Sequence, residues 1–283
     1  MTEMELINFL TKRIPRKKGA LRTGIGDDCS VIRSGKKDIL ISSDSLVENI
    51  HFRRKWGPWQ TWGRKAAATA LSDIAAMGGT PCFAWVNLEI PKNMTSGDIK
   101  KFYEGFLKVL KQFNTIIAGG NITRSPKYFG STTAVWGEAP KGKAMLRKNA
   151  KPGDKVYVSD PVGKKSFTPI PHIRLGQQIL KYGCRCCIDV SDGLLQDLGH
   201  IAKASKVKII LYADKIPHKG NLKEALTHGE DYVLAFTGNL PYGSRYPMVG
   251  EVKRGRPGVE VIGKKGKSLS FAKRGFQHKV ANS

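Results

Sequence analysis

Eight of the 23 acidic residues in this chain, Asp27, Asp28, Asp44, Asp73, Asp189, Asp192, Glu230 and Asp231, fall in short Gly/Ser-rich or strand-end contexts rather than on polar helix faces. In a sequence so poor in acids, surface solubility does not account for them. Asp73 sits in Ala66-Ala67-Ala68-Thr69-Ala70-Leu71-Ser72-Asp73-Ile74-Ala75-Ala76-Met77, where a helix places it on one face with Ala66, Ala70 and Met77. A carboxylate there must be paired or bound to a cation, because burying it alone is prohibitive; an ion pair to Arg64 or a helix cap elsewhere is the structural alternative. Asp27-Asp28 follow Gly24-Ile25-Gly26, a turn that lets backbone approach a ligand closely, and Asp44 ends an apolar strand. The oxygen-only donors around Asp28, Ser43, Asp44, Asp73, Asp189 and Asp192 suit magnesium rather than zinc. Singly, each aspartate reads as a turn former. Together they point to phosphate chemistry, in which magnesium ions bridge nucleotide phosphates and neutralise charge. The sequence carries neither G-x-x-x-x-G-K-[ST] nor the protein-kinase motifs, so a kinase of this kind belongs to neither class.

The elements that must position these residues alternate between periods of two and about 3.6 along the whole chain, which predicts a mixed α/β fold. Asp38–Asp44 reads as a strand running into a polar end. Gly63–Met77 reads as an Ala-rich helix closed by Gly78-Gly79, with Pro81 beyond. A strand follows over Phe83–Ile90, then a helix capped by Ser96 with Ile99, Phe102, Phe106 and Val109 or Leu110 on its apolar stripe. Thr115–Ala118 forms a strand that meets Gly119-Gly120, and another covers Gly130–Gly137. The turn-rich stretch between Pro140 and Asp154 marks a boundary between an N-terminal domain, 1–140, and a C-terminal domain, 141–283. Beyond it come a strand near Val156, a helix over Ile173–Lys181, a short strand leading to Asp189, a helix following Ser191-Asp192-Gly193, and strands near 208–212 and 232–237.

Composition narrows the classes. With 40% hydrophobic and 25% charged residues over 283 positions, the chain is neither disordered nor a rod, and its length predicts two domains. The formal charge is +25, from 48 Lys and Arg against 23 Asp and Glu. The bases are spread through clusters such as Arg16-Lys17-Lys18, Arg53-Arg54-Lys55 and Lys264-Lys265, with no aromatic-interleaved RNA motif or recognition-helix signature. Diffuse charge of this kind reads as a solvated surface, and specific nucleic-acid binding is disfavoured. No window approaches a membrane span, and the first residues carry acids where a secretion signal carries bases, so the expected location is the cytoplasm. The five cysteines lack paired C-x-x-C spacing and read as reduced, partly buried thiols, although Cys184-Arg185-Cys186-Cys187 leaves a metal open.

Gly24-Ile25-Gly26-Asp27-Asp28-Cys29, Ser43-Asp44-Ser45-Leu46-Val47-Glu48 with His51-Phe52, Leu71-Ser72-Asp73-Ile74-Ala75-Ala76-Met77-Gly78, Ala150-Lys151-Pro152-Gly153-Asp154, Asp189-Val190-Ser191-Asp192-Gly193-Leu194 and Gly229-Glu230-Asp231-Tyr232 occur in that order. From Gly24 to Phe276 this set resembles the thiamine-monophosphate kinase family of the aminoimidazole-ribonucleotide-synthetase-like superfamily. The resemblance implies a two-domain α/β (α+β) fold whose N-terminal sheet pairs across a homodimer, with the active site between the domains. It implies ATP-dependent phosphorylation of thiamine monophosphate to thiamine diphosphate, by direct transfer with magnesium and without a catalytic protein nucleophile. By motif position, Asp28, Ser42, Ser43, Asp44, Asp73, Asp189 and Asp192 would hold magnesium, with Asn121 at a further metal position. Gly120, Asn121, Arg147 and Ser191 would contact ATP, joined by Tyr103, and His51, Glu230 and Phe276 would hold the thiamine moiety.

The chain departs from the family pattern in three ways. It reads Gly119-Gly120-Asn121 where the family reads Gly-Gly-Asp, it shortens the segment between Ser159 and Ile173, and it is far more basic than the family requires. Two other readings follow: a superfamily relative phosphorylating a different substrate, and an inactive basic paralogue that binds nucleic acid or acidic partners.

Overall fold

The computed structural model describes residues 3–12, 19–241 and 244–278; the basic cluster Arg16-Lys17-Lys18 lies outside them. Helix α1 (Glu3–Thr11) is followed by strands β1 (Leu21–Thr23), β2 (Ser30–Ser34) and β3 (Lys37–Val47). Next come helix α2 (Trp59–Ala76), strand β4 (Thr80–Pro91), helix α3 (Ser96–Gln112) and strands β5 (Ile116–Ser125) and β6 (Gly130–Pro140). The chain continues through β7 (Lys155–Val158), α4 (Ile173–Lys181), β8 (Cys186–Asp189), α5 (Leu194–Ser205) and β9 (Lys208–Tyr212). It ends with α6 (Leu222–Thr227), β10 (Leu234–Gly238), β11 (Met248–Lys253), β12 (Gly258–Ile262) and β13 (Ser268–Leu269).

Two sheets result, in the orders β1-β2-β3-β6-β4-β5 and β13-β12-β9-β11-β7-β10-β8. The first is antiparallel except for β4 with β5, and the second except for β12 with β9. The mixed α/β fold expected from the periodicity is therefore present, with one sheet on each side of the 141–154 stretch. The apolar cores divide differently. The first sheet's core takes in Met145, Ile173, Ile179, Cys187 and Phe236, because α4 and one face of the second sheet close against α2.

Helix α2 is the central element, and its small residues explain why. A Cβ on Gly63 would lie 1.9 Å from the carbonyl oxygen of Phe102, and one on Gly105 would lie 2.0 Å from that of Gln60, so α2 and α3 pack backbone to backbone. The helix starts a turn before the expected Gly63, because Trp59 and Trp62 belong to the aromatic cluster around Phe52. The cap of α3 is Thr95 rather than Ser96. Its hydroxyl accepts from the Asp98 backbone N–H while the Asp98 carboxylate accepts from the Thr95 N–H, a reciprocal capping box. Strand β5 runs on through Gly119-Gly120 to Ser125, and the bare Gly120 lets it approach β4, where a Cβ would lie 2.0 Å from the Val86 carbonyl oxygen.

Strand β3 pairs with β6 along its whole length, and its side chains alternate between the two faces. Leu40, Ser42, Asp44 and Leu46 face α2, while Ile41, Ser43 and Ser45 face the other side. That other face carries Ile41, Trp85 and Ile116, exposed by 38%, 39% and 62%, and a stacked Phe83–Trp136 pair. No helix of the described residues is long and apolar enough to cross a membrane.

Candidate active site

A cleft of about 430 Å³ lies between the two sheets, floored by α2 and β3 and walled by β8, the turn after it and the 227–232 segment. Helical spacing brings Lys65, Thr69 and Asp73 to one face of α2, and all three line this cleft.

At one end, single carboxylate oxygens of Asp28, Asp73 and Asp189 lie within 4.8 Å of one another. They come from three separate segments: the turn before β2, the last part of α2, and the end of β8. Neutral donors and one cation hold them together. Ser72 donates to Asp189 Oδ2 at 2.8 Å, Ser42 donates to Asp73 Oδ2, and Arg147 Nη2 donates to Asp28 Oδ1 at 2.6 Å. Arg64 is not among the partners of Asp73, so the ion-pair alternative for that residue does not hold among the described residues. Asp28 Oδ2 is buried and has no hydrogen-bond partner. The charges are mutually destabilising: burial, then Asp28, raise the Asp189 carboxyl to about 8. Burial, then Asp189 and Asp44, push the Asp73 carboxyl well above the usual range. Burial also raises Asp44, and a hydrogen bond from Thr69 moderates the rise. Crowded acidic oxygens with one orphaned and few cations among them match what a hard divalent cation requires.

Arg147 sits in a short 3-10 turn, Arg147–Asn149, whose position is set by the Leu146 N–H bonded to Arg185 and by the Arg147 carbonyl bonded to Ser205. Its backbone N–H also reaches both oxygens of Asp27 at 3.3 Å. Burial and then the charge of Asp28 raise Asp27 to about 7.

Asp192 and Ser191 border the same end. Asp192 Oδ2 accepts from Gln196, and its carbonyl accepts the Phe276 N–H at 2.9 Å, which ties the C-terminal segment to the cleft. The buried Asp197 accepts from the N–H groups of Asp192 and Gly193, capping the start of α5. His51 and Glu230 meet α2 at Lys65, two turns before Asp73, and Phe276 lines the same cleft. The His51 Nδ1 accepts the Val47 N–H at 2.9 Å, and burial lowers its basicity. The His278 ring meets Phe276 edge-on at 4.8 Å and His51 at 5.6 Å.

The structure brings Asp44, Asp73, Asp189, Ser191, Asp192, His51, Glu230 and Phe276 to the lining of one cleft, with Asp28 and Ser42 beside Asp73 and Arg147 behind them on Asp28. It does not bring Ser43, Tyr103, Gly120 or Asn121 to the cleft lining. Ser43 lies on the face of β3 turned away from α2, and Asn121 pairs with Asn87 on that same face of the edge strand β5. Tyr103 lies on α3, in contact with Phe102 and Phe106. Sequence reasoning missed Lys65, Thr69 and His278. The first two were legible in the i, i+4, i+8 spacing that ends at Asp73; His278 carried no local signal. The cysteines Cys29, Cys184, Cys186 and Cys187 are free and buried.

Residues 26–138 match the family model described as AIR synthase related protein, N-terminal domain. The chain is similar to the thiamine-monophosphate kinase of Buchnera aphidicola subsp. Acyrthosiphon pisum, with 34% identity covering 83% of each chain. It is similar also to the thiamine-monophosphate kinase of Bacillus subtilis, 31% identical over 84% of this chain and 83% of the relative. Among solved structures, AaThiL complexed with AMPPCP and TMP superposes with a TM-score of 0.87 at 28% identity, covering 98% of this chain and 97% of that one. The hydrogenase maturation protein HypE in complex with ATP shares the fold at 16% identity and a TM-score of 0.71, over 93% and 90% of the two chains.

Proposed function

The chain belongs to the thiamine-monophosphate kinase family, and from that premise we propose that it transfers the terminal phosphoryl group of ATP to thiamine monophosphate, forming thiamine diphosphate. The observation that carries this reading is the chemical polarity of the cleft. Asp28, Asp73 and Asp189 converge at the last part of α2, His51 and Glu230 meet Lys65 two turns earlier on the same helix face, and the Phe276 ring lines the cleft beside them.

In the reaction an oxygen of the substrate's phosphate forms a bond to the γ-phosphorus of ATP as the bond from that phosphorus to the β,γ-bridging oxygen breaks, releasing ADP. No protein nucleophile is needed, so catalysis rests on positioning and charge. Asp28, Asp73 and Asp189, with Asp44, Asp192 and the Ser42 hydroxyl, would hold magnesium. Magnesium bound there supplies charge neutralisation to the phosphate oxygens. Arg147 and Ser191 face the nucleotide side. Beside Lys65, Glu230 accepts from an aminopyrimidine N–H, and Phe276 offers its ring face to the cationic thiazolium; His51 completes that wall.

Ser43, Tyr103, Gly120 and Asn121 join this reading through a homodimer. The open face of the first sheet exposes Ile41, Trp85 and Ile116, and a second copy of the chain covers it. The residues away from the cleft would then serve at or beside that junction. Domain 1–140 carries the dimer face, most metal donors, His51 and part of the ATP site, domain 141–283 carries the remaining nucleotide and substrate contacts, and the enzyme works in the cytoplasm.

The test is a coupled assay of ATP with thiamine monophosphate in magnesium, with the product identified chromatographically. Formation of thiamine diphosphate supports the reading. Turnover with another phosphate acceptor but not with thiamine monophosphate overturns it.

A further inference from the structure

Lys65 is the only lysine among the described residues that lies wholly inside the protein, at 0% exposure, while the other bases among them are largely exposed. An ammonium so placed is costly unless its partners compensate it. Its Nζ donates to Glu230 Oε1 at 2.5 Å and to the His51 carbonyl at 3.3 Å, and it lies 6.0 Å from the ring centroid of Phe167. One side chain on α2 thus touches the carboxylate of one residue and the backbone of another at the ring-binding part of the cleft.

Glu230 is itself constrained. Its backbone φ of +70° is uncommon for a residue with a side chain. The Glu230 N–H donates to the Ser191 carbonyl at 2.8 Å, and its own carbonyl accepts from the Ser166 N–H at 2.9 Å. The backbone is fastened on both sides, leaving the side chain to point across the cleft at α2. Lys65 meets its Oε1 there while Lys165 Nζ lies 3.8 Å from its Oε2, and the Lys65–Glu230 pair joins the N-terminal layer to the segment before β10.

We propose that Lys65 is a positioning residue for substrate selectivity: its ammonium orients the Glu230 carboxylate toward the amino group of an aminopyrimidine and holds the His51 turn beside it. Ring recognition then depends on the two layers being closed on each other. This rests on the reading that Glu230 contacts the substrate ring. The metal and nucleotide groups gather around Asp73, two turns further along α2's polar stripe, so nucleotide binding depends much less on Lys65.

The experiment is steady-state kinetics on the full chain, with thiamine monophosphate and ATP varied separately, for the wild type, Lys65→Met, Glu230→Gln and the double variant. Lys65→Met is expected to raise KM for thiamine monophosphate roughly 30-fold, the scale for removing one partner of a desolvated charge pair. KM for ATP is expected to move less than about 2-fold, and because both residues act through one carboxylate, Lys65→Met should add less than about 3-fold in the Glu230→Gln background. Equal rises in both KM values, or fully additive effects in the cycle, would overturn the proposal and leave Lys65 as a fold-holding ion pair. If the methionine variant fails to fold, Lys65→Gln is judged by the same two criteria. A wild type that turns over no thiamine monophosphate refutes the functional reading instead, before any variant is compared.

Discussion

Ser72 donates a buried 2.8 Å hydrogen bond to Asp189 Oδ2, so the helix residue next to Asp73 holds the carboxylate that the second sheet contributes to the same acidic cluster. Adjacent positions on α2 therefore present one carboxylate and fasten another. Removing the hydroxyl leaves Asp189 short of a donor, a loss of about 2 kcal/mol for a hydrogen bond to a charged group. Ser72→Ala is expected to lower kcat about 10-fold and to raise the magnesium midpoint, with the nucleotide saturating. A magnesium titration of the two proteins checks this; superimposable curves would detach Ser72 from the site.

Asp44→Asn and Asp73→Asn separate function from stability. Each should abolish turnover by removing charge from a donor set that must balance magnesium and a triphosphate. In metal-free protein Asp73→Asn should leave the melting temperature unchanged or raise it at pH 8, since it relieves repulsion from Asp189 and Asp44. Near-normal rates for both variants at saturating magnesium would sink the metal assignment.

The acidic cluster also fixes the sign of a pH effect. Asp189 and Asp27, raised to about 8 and about 7 from the ordinary aspartate value, bind their protons more tightly folded than unfolded. Their contribution to stability is complete below about pH 4 and is lost as pH rises through the folded values. The melting temperature of metal-free protein is expected to fall between about pH 6 and pH 8.5, and magnesium with ATP should restore more of it at pH 8 than at pH 6. A flat or rising metal-free curve across that window would contradict the repulsion described here.

The open face of the first sheet can be tested by charge. Ile41→Glu, alone or with Trp85→Glu, is expected to convert a dimer to a monomer in sedimentation, without unfolding it, because neither side chain lies in the core. Wild-type protein that is monomeric at tens of micromolar would remove the second copy from the account of Ser43, Tyr103, Gly120 and Asn121.

Much of the site was legible because its residues sit in short motifs whose composition conflicts with their surroundings. Asp73 in an alanine-rich helix, Asp27-Asp28 after a glycine turn and Asp189 at the end of an apolar strand each violate local solubility logic, and local logic is what a sequence displays. The α/β alternation was legible for the same reason, as were β3 and α3 within a few residues. The cap of α3 was displaced by one position because Ser96 and Thr95 are both good caps. Only the reciprocal bond to Asp98 selects between them.

What the residue order could not contain was the pairing of distant segments. Asp28 and Arg147 are 119 positions apart and Lys65 and Glu230 are 165 apart, and nothing in either neighbourhood names its partner. Sheet parity decided that Ser42 and Asp44 face α2 while Ser43 between them does not, an outcome that depends on which face of β3 the helix covers. Motif order alone determined the family and the chemistry. Tertiary packing decided which side chains share the cleft, because charges and hydrogen bonds act over a few ångströms of space and not along the chain.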